Sequence, residues 1–430
     1  MESRAPRPWL RLDNAAKLFP SVTSDRLTNL FRLAVRLEEE VRPDDLAQAL
    51  RAVAPRFPSF QFRLKAGFFW YSLVEDSTPP EVFPESSSPC LPFRTKARGL
   101  FRVRWFGRRL AVEFSHSLTD GVGALVFLRA LTAEYLWRRG VECVDPDDLR
   151  RVGRPPEPAE AVDDFQRLSD PRFPKYQTWD RAFQLRGTLL AKGGYAVTTG
   201  RIPLGAALAE AKMRQATLTE FLAATLLAAL QEVFLALPAR EQWLQARPLR
   251  LVLPVNLRPI FGSKTLRNFF VVVPVEIDLR LGSYAFDEIL RKVHHQLQAE
   301  MDARLLRKQI MRNLRGEWNP VGRFLPLPVK ALILKSVFGS FERRHSASLS
   351  NLGRAEWPAA WASRIRDVEF TPPPSPFCRV NAGVISFDET LSITFGSLAA
   401  DSAVERAFFT RLRRQGLPVA VESNRALLEV

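Results

Sequence analysis

The spacing of apolar residues in the first half of the chain predicts alternating helices and strands. A one-sided apolar stripe over 43–53 predicts a helix that begins at Pro43-Asp44. A second helix is predicted after Asp120, with apolar residues on its buried side. Short apolar or alternating runs predict four strands, at 60–64, 67–74, 100–105 and 110–114. The last two are expected to form a hairpin that turns at Gly107-Arg108.

The second half of the chain repeats this kind of order after a stretch without periodicity. Between about 150 and 176 the prolines lie among charged residues, which is typical of a linker. Beyond it, strands are predicted at 195–202, 249–255, 269–277, 347–352, 383–387 and 391–396. Helices are predicted at 221–237, after a capping box at 217–220, and at 286–311, 328–341 and 401–414. We therefore expect an α/β protein with two domains, 1–178 (including a linker at about 150–178) and 179–430.

Composition adds one departure from an ordinary globular chain, its formal net charge of +16 over 430 residues. Of the 62 basic residues only 11 are Lys, so the excess is Arg. A genomic codon bias would explain this without function. The functional interpretation is a basic field that attracts phosphorylated cofactors, acidic carrier proteins or anionic lipid surfaces. A nucleic-acid partner is not expected, because the Arg residues are spread along the chain and no nucleic-acid motif accompanies them.

Cysteine usage and apolar segments bear on the compartment. Cys90, Cys143 and Cys378 have no short spacing, which suits a reducing compartment and predicts neither a disulfide framework nor a metal site. The first nine residues contain charges and prolines but no apolar segment, so no signal peptide is expected. The most apolar stretch, 221–230, is about half as long as a membrane span. We expect a cytoplasmic protein and leave a peripheral contact with a membrane surface open.

The most informative local pattern is His116-x-x-x-Asp120-Gly121. It places an imidazole at the end of a predicted strand and a carboxylate at the start of the next helix. The chain has four His, and by chance one of four would carry both partners roughly once in a hundred chains. A neutral imidazole can take a proton from an attacking hydroxyl or amine. The structural alternative is a core His whose ring is satisfied by backbone groups.

The two residues that follow His116 have structural interpretations of their own. Asp120 could cap the following helix, pair with an Arg from elsewhere, or do both. Gly121 removes a side chain where backbone must pass close to the imidazole or a substrate, although it could equally be a turn glycine. The His294-His295 pair is expected on a solvated helix face, and His345 is expected to be a cation at a helix C-terminus.

Two further segments place polar residues at predicted strand ends. Asn256 and Arg258 follow the strand at 249–255, and Ser350 and Asn351 precede a Gly turn. Either pair could be ordinary strand-to-loop sequence. The chain contains no Gly-x-Ser-x-Gly elbow, phosphate-binding loop, His-Glu-x-x-His site or dinucleotide fingerprint.

Taken together, these segments resemble the CoA-dependent acyltransferase superfamily, which has the chloramphenicol acetyltransferase-like fold. The resemblance covers nearly the whole chain, in the segments 12–20, 115–121, 254–258, 266–269 and 350–353. The superfamily includes peptide-synthetase condensation domains, plant acyltransferases, wax ester synthases and mycobacterial polyketide-associated acyltransferases. The nearest likeness is to bacterial proteins described as alcohol acetyltransferases. The Asp-Phe-Gly-Trp-Gly motif of the plant enzymes is absent, so that branch is not expected.

The resemblance implies two lobes, each a mixed sheet flanked by helices, with an active-site tunnel between them. It implies that His116 is the general base and that Asp120 is structural, pairing with an Arg of the second lobe. Arg258 is our first expectation for that Arg and Arg267 the second. Ser115 stands at the position of the superfamily's first His. This replacement disfavours a peptide-condensation function.

The function implied is direct transfer of an acyl group from acyl-CoA, or from an acyl-carrier protein, to a hydroxyl of a small-molecule or lipid alcohol. Acyl-CoA would be a co-substrate, with no bound cofactor and no metal, and a monomer is expected. Backbone N–H groups near Gly121, or the side chains of Ser350 and Asn351, are candidate oxyanion donors, with Asn256 as a further supporting residue. Two alternatives stay open: an amide-forming, carrier-dependent condensation enzyme, and a non-catalytic lipid-binding or scaffold protein.

Overall fold

The structure is a computed structural model that describes residues 9–86, 88–93, 99–145, 148–170, 179–318 and 324–428. Three sheets are formed within these ranges. Their strands are β1 (Trp9–Arg11), β2 (Leu30–Leu37), β3 (Phe62–Ala66), β4 (Tyr71–Glu75), β5 (Val82–Pro84), β6 (Phe101–Phe106), β7 (Arg109–Ser115), β8 (Ala196–Pro203), β9 (Leu249–Asn256), β10 (Phe270–Ile277), β11 (Ala347–Ala355), β12 (Ile365–Thr371), β13 (Val380–Phe387), β14 (Thr390–Ser397) and β15 (Ala420–Ser423). The strand orders are β12-β2-β7-β6-β5, β1-β4-β3 and β10-β9-β11-β13-β14-β8-β15.

Helices flank these sheets. They are α1 (Phe19–Val22), α2 (Pro43–Val53), α3 (Gly121–Arg138), α4 (Asp164–Arg167), α5 (Leu204–Met213), α6 (Leu218–Leu235), α7 (Ala239–Leu244), α8 (Arg258–Phe261), α9 (Phe286–Glu300), α10 (Ala303–Trp318), α11 (Leu327–Glu342), α12 (Ala359–Ala362) and α13 (Ala403–Arg414). The α/β class and the mixed sheets agree with the sequence-based expectation.

The first core lies between the five-stranded sheet and the helices α2 and α3. The apolar stripe of α2 is buried, and α3 buries most of its length because the sheet covers one side and α2 another. Aromatic rings fill the space between them: Phe114 of β7 lies 5.0 Å from Phe60 and 5.5 Å from Phe127 of α3. Burying rings of this size strongly stabilises a core. The strand that ends next to His116 is therefore held on a rigid base.

The second core surrounds α6. Thr217 and Glu220 form the predicted capping box, since the Thr217 hydroxyl accepts from the Glu220 N–H and the Glu220 carboxylate accepts from the Thr217 N–H. The helix is longer than the apolar stretch 221–230 suggested. Its 18 residues are long and apolar enough to cross a membrane by length and composition, but 72% of that window is buried inside the protein. It is positioned as a core helix of the seven-stranded sheet.

The second half of the chain contributes one strand to the sheet of the first half. β12 comes from the second half but pairs antiparallel with β2 in the first sheet. Not all residues after 178 therefore belong to the second sheet, and the boundary at 178 itself lies outside the described residues. The sequence did not predict β12, because Asp367 and Glu369 interrupt its apolar pattern. Both carboxylates are buried, and both form ion pairs with Arg36 and Arg201.

The stretch predicted as a linker makes ordered contacts where the structure describes it, and one predicted helix is wrong in its bounds. Within the stretch expected to be a linker, α4 packs Phe165 into the second core, and Glu160 forms a buried ion pair with Arg56. The helix expected over 286–311 is two helices, because Asp302 accepts a hydrogen bond from the Arg304 N–H and starts α10. The structure also adds α5 and β15, which the apolar pattern did not predict.

Candidate active site

The motif occupies the turn between β7 and α3. β7 ends at Ser115, and the backbone N–H of His116 donates to the carbonyl of Asn29 at 3.0 Å. The imidazole lies among aromatic rings, 4.5 Å from Phe31 and 5.2 Å from Phe19 between ring centroids. The ring is therefore held by a strand end on one side and by flat apolar surfaces on the others.

Asn268 determines which ring nitrogen of His116 carries the proton. The Asn268 amide N–H₂ donates to the His116 carbonyl at 2.8 Å and to the Asp13 carboxylate at 3.0 Å. Because both of these groups accept, the amide oxygen must be the atom that faces His116 Nδ1, at 3.4 Å. An oxygen that can only accept requires a proton on Nδ1. Nε2 is then left with its lone pair, as a general base needs.

Burial sets the protonation of His116. Removal from water lowers the pKa of the imidazole below its ordinary value, opposed by the Asn268 hydrogen bond, the Asp120 charge and the Thr119 backbone. The neutral ring is therefore the resting form near neutral pH. This differs from a core His satisfied by backbone groups, because the ring also lines a cavity.

Asp120 is both a helix cap and an ion-pair partner. Its carboxylate accepts from the Gly123 N–H at 3.1 Å and from the Phe269 N–H at 2.9 Å. The guanidinium of Arg258 donates to both carboxylate oxygens, at 2.9 and 3.0 Å. The same guanidinium donates to the carbonyls of Thr265 and Arg267. This buried, bidentate ion pair connects the start of α3 with α8 and with the segment before β10. It therefore links the two halves of the chain at the motif.

The other predicted site residues lie near this ion pair but make different contacts. Arg267 does not contact Asp120; its Nε lies 3.7 Å from Asp13, and Nη2 donates to the Arg11 carbonyl. Asn256 accepts from the Arg258 N–H and from Nη1. A side chain at Gly121 would collide with Leu352, 2.7 Å from the Cβ position, so the clearance is needed toward β11.

A cavity of about 320 Å³ lies between the two halves of the chain and includes His116 in its wall. Its floor comes from β9, β10 and β11, through Val252, Pro254 and Asn256, Phe270 and Val272, and Ser348, Ser350 and Leu352. Asn351 also lines the cavity, but its amide N–H₂ donates to Thr219 and its oxygen accepts from the Gly353 N–H. The Ser350 hydroxyl makes no hydrogen bond to any residue that the structure describes. Of the two side chains expected as oxyanion donors, Ser350 is thus the one whose donor is unpaired among the described residues.

Several features of the site were not predicted from the sequence. Asp13 and Asn268, which continue the hydrogen-bond chain behind His116, lie in segments that carried the family resemblance (12–20 and 266–269), but their roles depend on contacts about 255 residues apart along the chain. His345 is not a solvated helix-end cation. It is 3% exposed, and burial lowers the pKa of its ring. Within the described residues no group of three or more His, Cys, Asp or Glu could hold a metal ion.

Comparison with solved structures shows the fold of the chloramphenicol acetyltransferase-like acyltransferases over nearly the whole chain. The structure is similar to polyketide synthase associated protein 5 from Mycobacterium tuberculosis (TM-score 0.58, 14% identity, 94% of this chain and 96% of that one). It is similar to the wax ester synthase/diacylglycerol acyltransferase from Marinobacter aquaeolei VT8 (0.55, 16%, 95% and 100%). It also matches TRI101 of Fusarium sporotrichioides, solved with coenzyme A and T-2 (0.59, 11%, 97% and 100%).

These similarities confirm the expected fold class, two lobes with mixed sheets flanked by helices. No known family profile matches the sequence. No curated protein matches it in sequence either.

Proposed function

We propose that this protein is an acyltransferase that moves an acyl group from acyl-CoA to a hydroxyl group, with His116 as general base. The observation that carries the proposal is a neutral, buried imidazole in the wall of the cavity between the lobes, with the Asn268 amide oxygen next to its Nδ1. The fold supports it, because one structural neighbour was solved with coenzyme A and another is a wax ester synthase/diacylglycerol acyltransferase.

The mechanism follows from which groups of the site hold a proton and which can accept one. His116 Nε2 takes the proton of the acceptor hydroxyl as its oxygen attacks the thioester carbonyl. The tetrahedral intermediate then collapses, the C–S bond breaks, and the imidazolium returns the proton to the thiolate. The Asn268 oxygen stays hydrogen-bonded to Nδ1 and favours the imidazolium that forms. Ser350 is the proposed side-chain donor to the oxyanion.

An acyl-CoA panel combined with primary alcohols and amines tests the proposal, with mass spectrometry for free CoA and acylated product. The expected result is an ester and an equal amount of CoA. The runner-up function is amide formation with a carrier-protein thioester. An amide product formed only from an acyl-carrier donor would favour it and would overturn O-acyl transfer. Lipid binding without turnover by any donor would favour the non-catalytic alternative.

The acid limb of the pH profile is expected to inflect below pH 6.5. Burial lowers the pKa of His116, so the neutral base persists as the pH falls and is lost only on passing through this lowered value. The measurement is kcat/KM against pH with an acyl-pantetheine donor, which lacks phosphates that titrate in this range. An inflection above 6.5 would contradict the burial argument.

We also propose that one face of the protein contacts an anionic membrane surface. The outer side of α11 exposes Val329, Leu332, Ile333 and Val337, and Phe68, Phe69 and Phe324 are exposed beside it. The Leu327 N–H donates to the Phe68 carbonyl, which joins the helix to the β3–β4 turn. The segments 324–341 and 62–74 contain no acidic residue and include the exposed Lys65 and Lys335. Apolar side chains rimmed by cations fit an interface of anionic lipid.

Vesicle co-sedimentation tests this surface. The protein is expected to bind vesicles of phosphatidylcholine containing phosphatidylglycerol more tightly than phosphatidylcholine alone. The double variant Leu332→Glu/Ile333→Glu should lose most of the bound fraction, whereas Trp243→Glu, an equally exposed apolar residue elsewhere, should not. Equal binding by both variants would contradict the proposal, as would a dimer in light scattering that the double variant abolishes.

A further inference from the structure

A second group of polar side chains lines the cavity that contains His116. It is formed by the end of α11 and by the segments that follow it, and we call it the distal polar subsite; its members are Glu342, His345, Ser348, Ser375 and Asn381. Much of the remaining wall is apolar, with Val252, Val272, Phe338 and Phe370 among its residues. Polar groups that converge in an otherwise apolar pocket commonly fix the orientation of a ligand.

Glu342 is the charged member of the subsite, and its carboxylate has an incomplete set of hydrogen bonds. One oxygen of its carboxylate, Oε2, accepts from the Ser375 hydroxyl at 2.6 Å. The other, Oε1, makes no hydrogen bond in the described parts of the chain and lies 3.6 Å from His345 Nε2. No Lys or Arg of those parts pairs with it, although Glu342 is only 8% exposed. A buried carboxylate without a cation or a full set of donors costs free energy, unless a ligand supplies the missing donor.

His345 does not supply the missing charge. Its ring is buried and lies 5.4 Å from Phe341 between ring centroids. Burial lowers the pKa of the imidazole below its ordinary value; the Glu342 charge and the Phe341 backbone oppose this shift without reversing it, and Arg250 adds to it, so that the ring is neutral near neutral pH. The last two members of the subsite satisfy each other, since the Ser348 hydroxyl donates to the Asn381 oxygen at 2.7 Å. Glu342 Oε1 is therefore the charged acceptor of the subsite that lacks a donor in the described parts of the chain, and the buried His345 Nδ1 also has no hydrogen-bond partner there.

The sheet under the cavity gives the distance between the two polar ends. On β9, Asn256 contacts Arg258 next to the motif, and it pairs with Phe270, whose ring lies 6.1 Å from His116. Val252, four residues earlier on the same strand, pairs with Ser348 of the distal polar subsite. At about 3.3 Å per residue, four residues of regular strand span about 13 Å. The subsite therefore lies roughly that far along the cavity floor from the motif.

We propose that the distal polar subsite binds a hydrogen-bond-donating group of the substrate, a hydroxyl or an amino group, at the end of the cavity floor that lies about 13 Å along β9 from Asn256. Glu342 Oε1 accepts from this group, and the apolar wall between the two ends holds the connecting hydrocarbon chain. The preferred substrate is then an amphiphile with polar groups at both ends rather than a plain alcohol or a plain fatty acyl chain. This inference rests on the proposed acyltransferase function, because it assigns one end of the cavity to the reaction.

Two arms of one experiment identify which substrate carries the second polar group. In the acceptor arm, long-chain α,ω-diols and ω-amino alcohols are compared with the matching primary alcohols. In the donor arm, ω-hydroxyacyl-CoA is compared with the matching acyl-CoA. The wild type is expected to prefer the bifunctional compound in one arm by about ten- to a hundred-fold in kcat/KM, as a hydrogen bond to a charged group provides. Glu342→Gln should remove that preference while leaving turnover of the monofunctional compounds within a few-fold.

Controls separate this inference from a structural role of Glu342 and from the proposed function. Glu405→Gln removes another buried carboxylate, which pairs with Arg425, and should leave the preference intact. If Glu342→Gln does not fold, Ser375→Ala replaces it; this change removes the one hydrogen bond that positions the Glu342 carboxylate within the described residues and should reduce the preference. Equilibrium binding of diol and alcohol without donor is measured in parallel. A binding preference without turnover would overturn the acyltransferase function but not the subsite. Turnover with no preference in either arm, or an equal loss for all substrates in Glu342→Gln, would overturn the subsite.

Discussion

His116→Ala is expected to lower kcat by about 10²- to 10⁴-fold, the range that a positioned general base contributes. The loss should fall on kcat, because the imidazole acts on the proton that moves in the transition state and not on the bulk of either substrate. The folded structure should persist, since the removed ring lies at a cavity wall and its backbone N–H still donates to the Asn29 carbonyl.

Steady-state kinetics together with the thermal midpoint check this expectation. His294→Ala serves as the matched control, because the side chain of His294 is 41% exposed and lies on α9 away from the cavity. Added imidazole should restore part of the activity of His116→Ala, because the deleted ring leaves space at the cavity. A folded His116→Ala protein with near-normal turnover would show that another group performs the proton transfer.

Breaking the Asp120–Arg258 ion pair should be the most destabilising of the single changes considered. Asp120→Ala leaves the Arg258 guanidinium buried without its carboxylate, and removal of one partner of such a pair typically costs about 3–5 kcal/mol. Activity should fall as well, because the same carboxylate caps α3 and fixes the turn that presents His116. Denaturant unfolding measures the stability, with Glu422→Gln as a control for a half-exposed carboxylate, where the loss should be about 0–1 kcal/mol.

A double-mutant cycle distinguishes the ion pair from a direct chemical role of Asp120. In Asp120→Ala/Arg258→Ala both charges are gone, so the loss of stability should be smaller than the sum of the two single losses. The activity of the single variants should fall together with their stability. An Asp120→Ala protein that is as stable as the wild type but fully inactive would assign Asp120 to the chemistry itself.

The motif could be predicted from the sequence because its parts lie close together on the chain. His116 directly follows β7 and Asp120 caps α3, and the two lie within five consecutive residues, so the local pattern is sufficient to place both. The choice of Arg258 over Arg267 could only be ranked, since both lie in the segment between β9 and β10. The structure separates them: the Arg258 guanidinium reaches Asp120, and Arg267 turns toward Asp13.

Contacts between distant segments could not be predicted. The role of Asn268 depends on its amide lying between the His116 backbone and Asp13, and the burial of His345 depends on the segments that pack around the end of α11. The strand β12 was not predicted because its acidic residues interrupt the apolar period. These charges can be buried because Arg side chains from distant parts of the same chain pair with them, and only the structure shows this. Periodicity describes which side of an element is apolar, but not which partner covers its charges.

We propose that His116 activates the acceptor for direct attack, with no acyl group ever attached to the protein. The most direct measurement mixes the wild type and His116→Ala with acyl-CoA, with and without acceptor, and follows free CoA and the intact protein mass. We expect CoA release only when acceptor is present, a large loss of this release in His116→Ala, and an unmodified protein mass throughout. An acylated protein, or acceptor-dependent CoA release of equal rate in the two proteins, would contradict it.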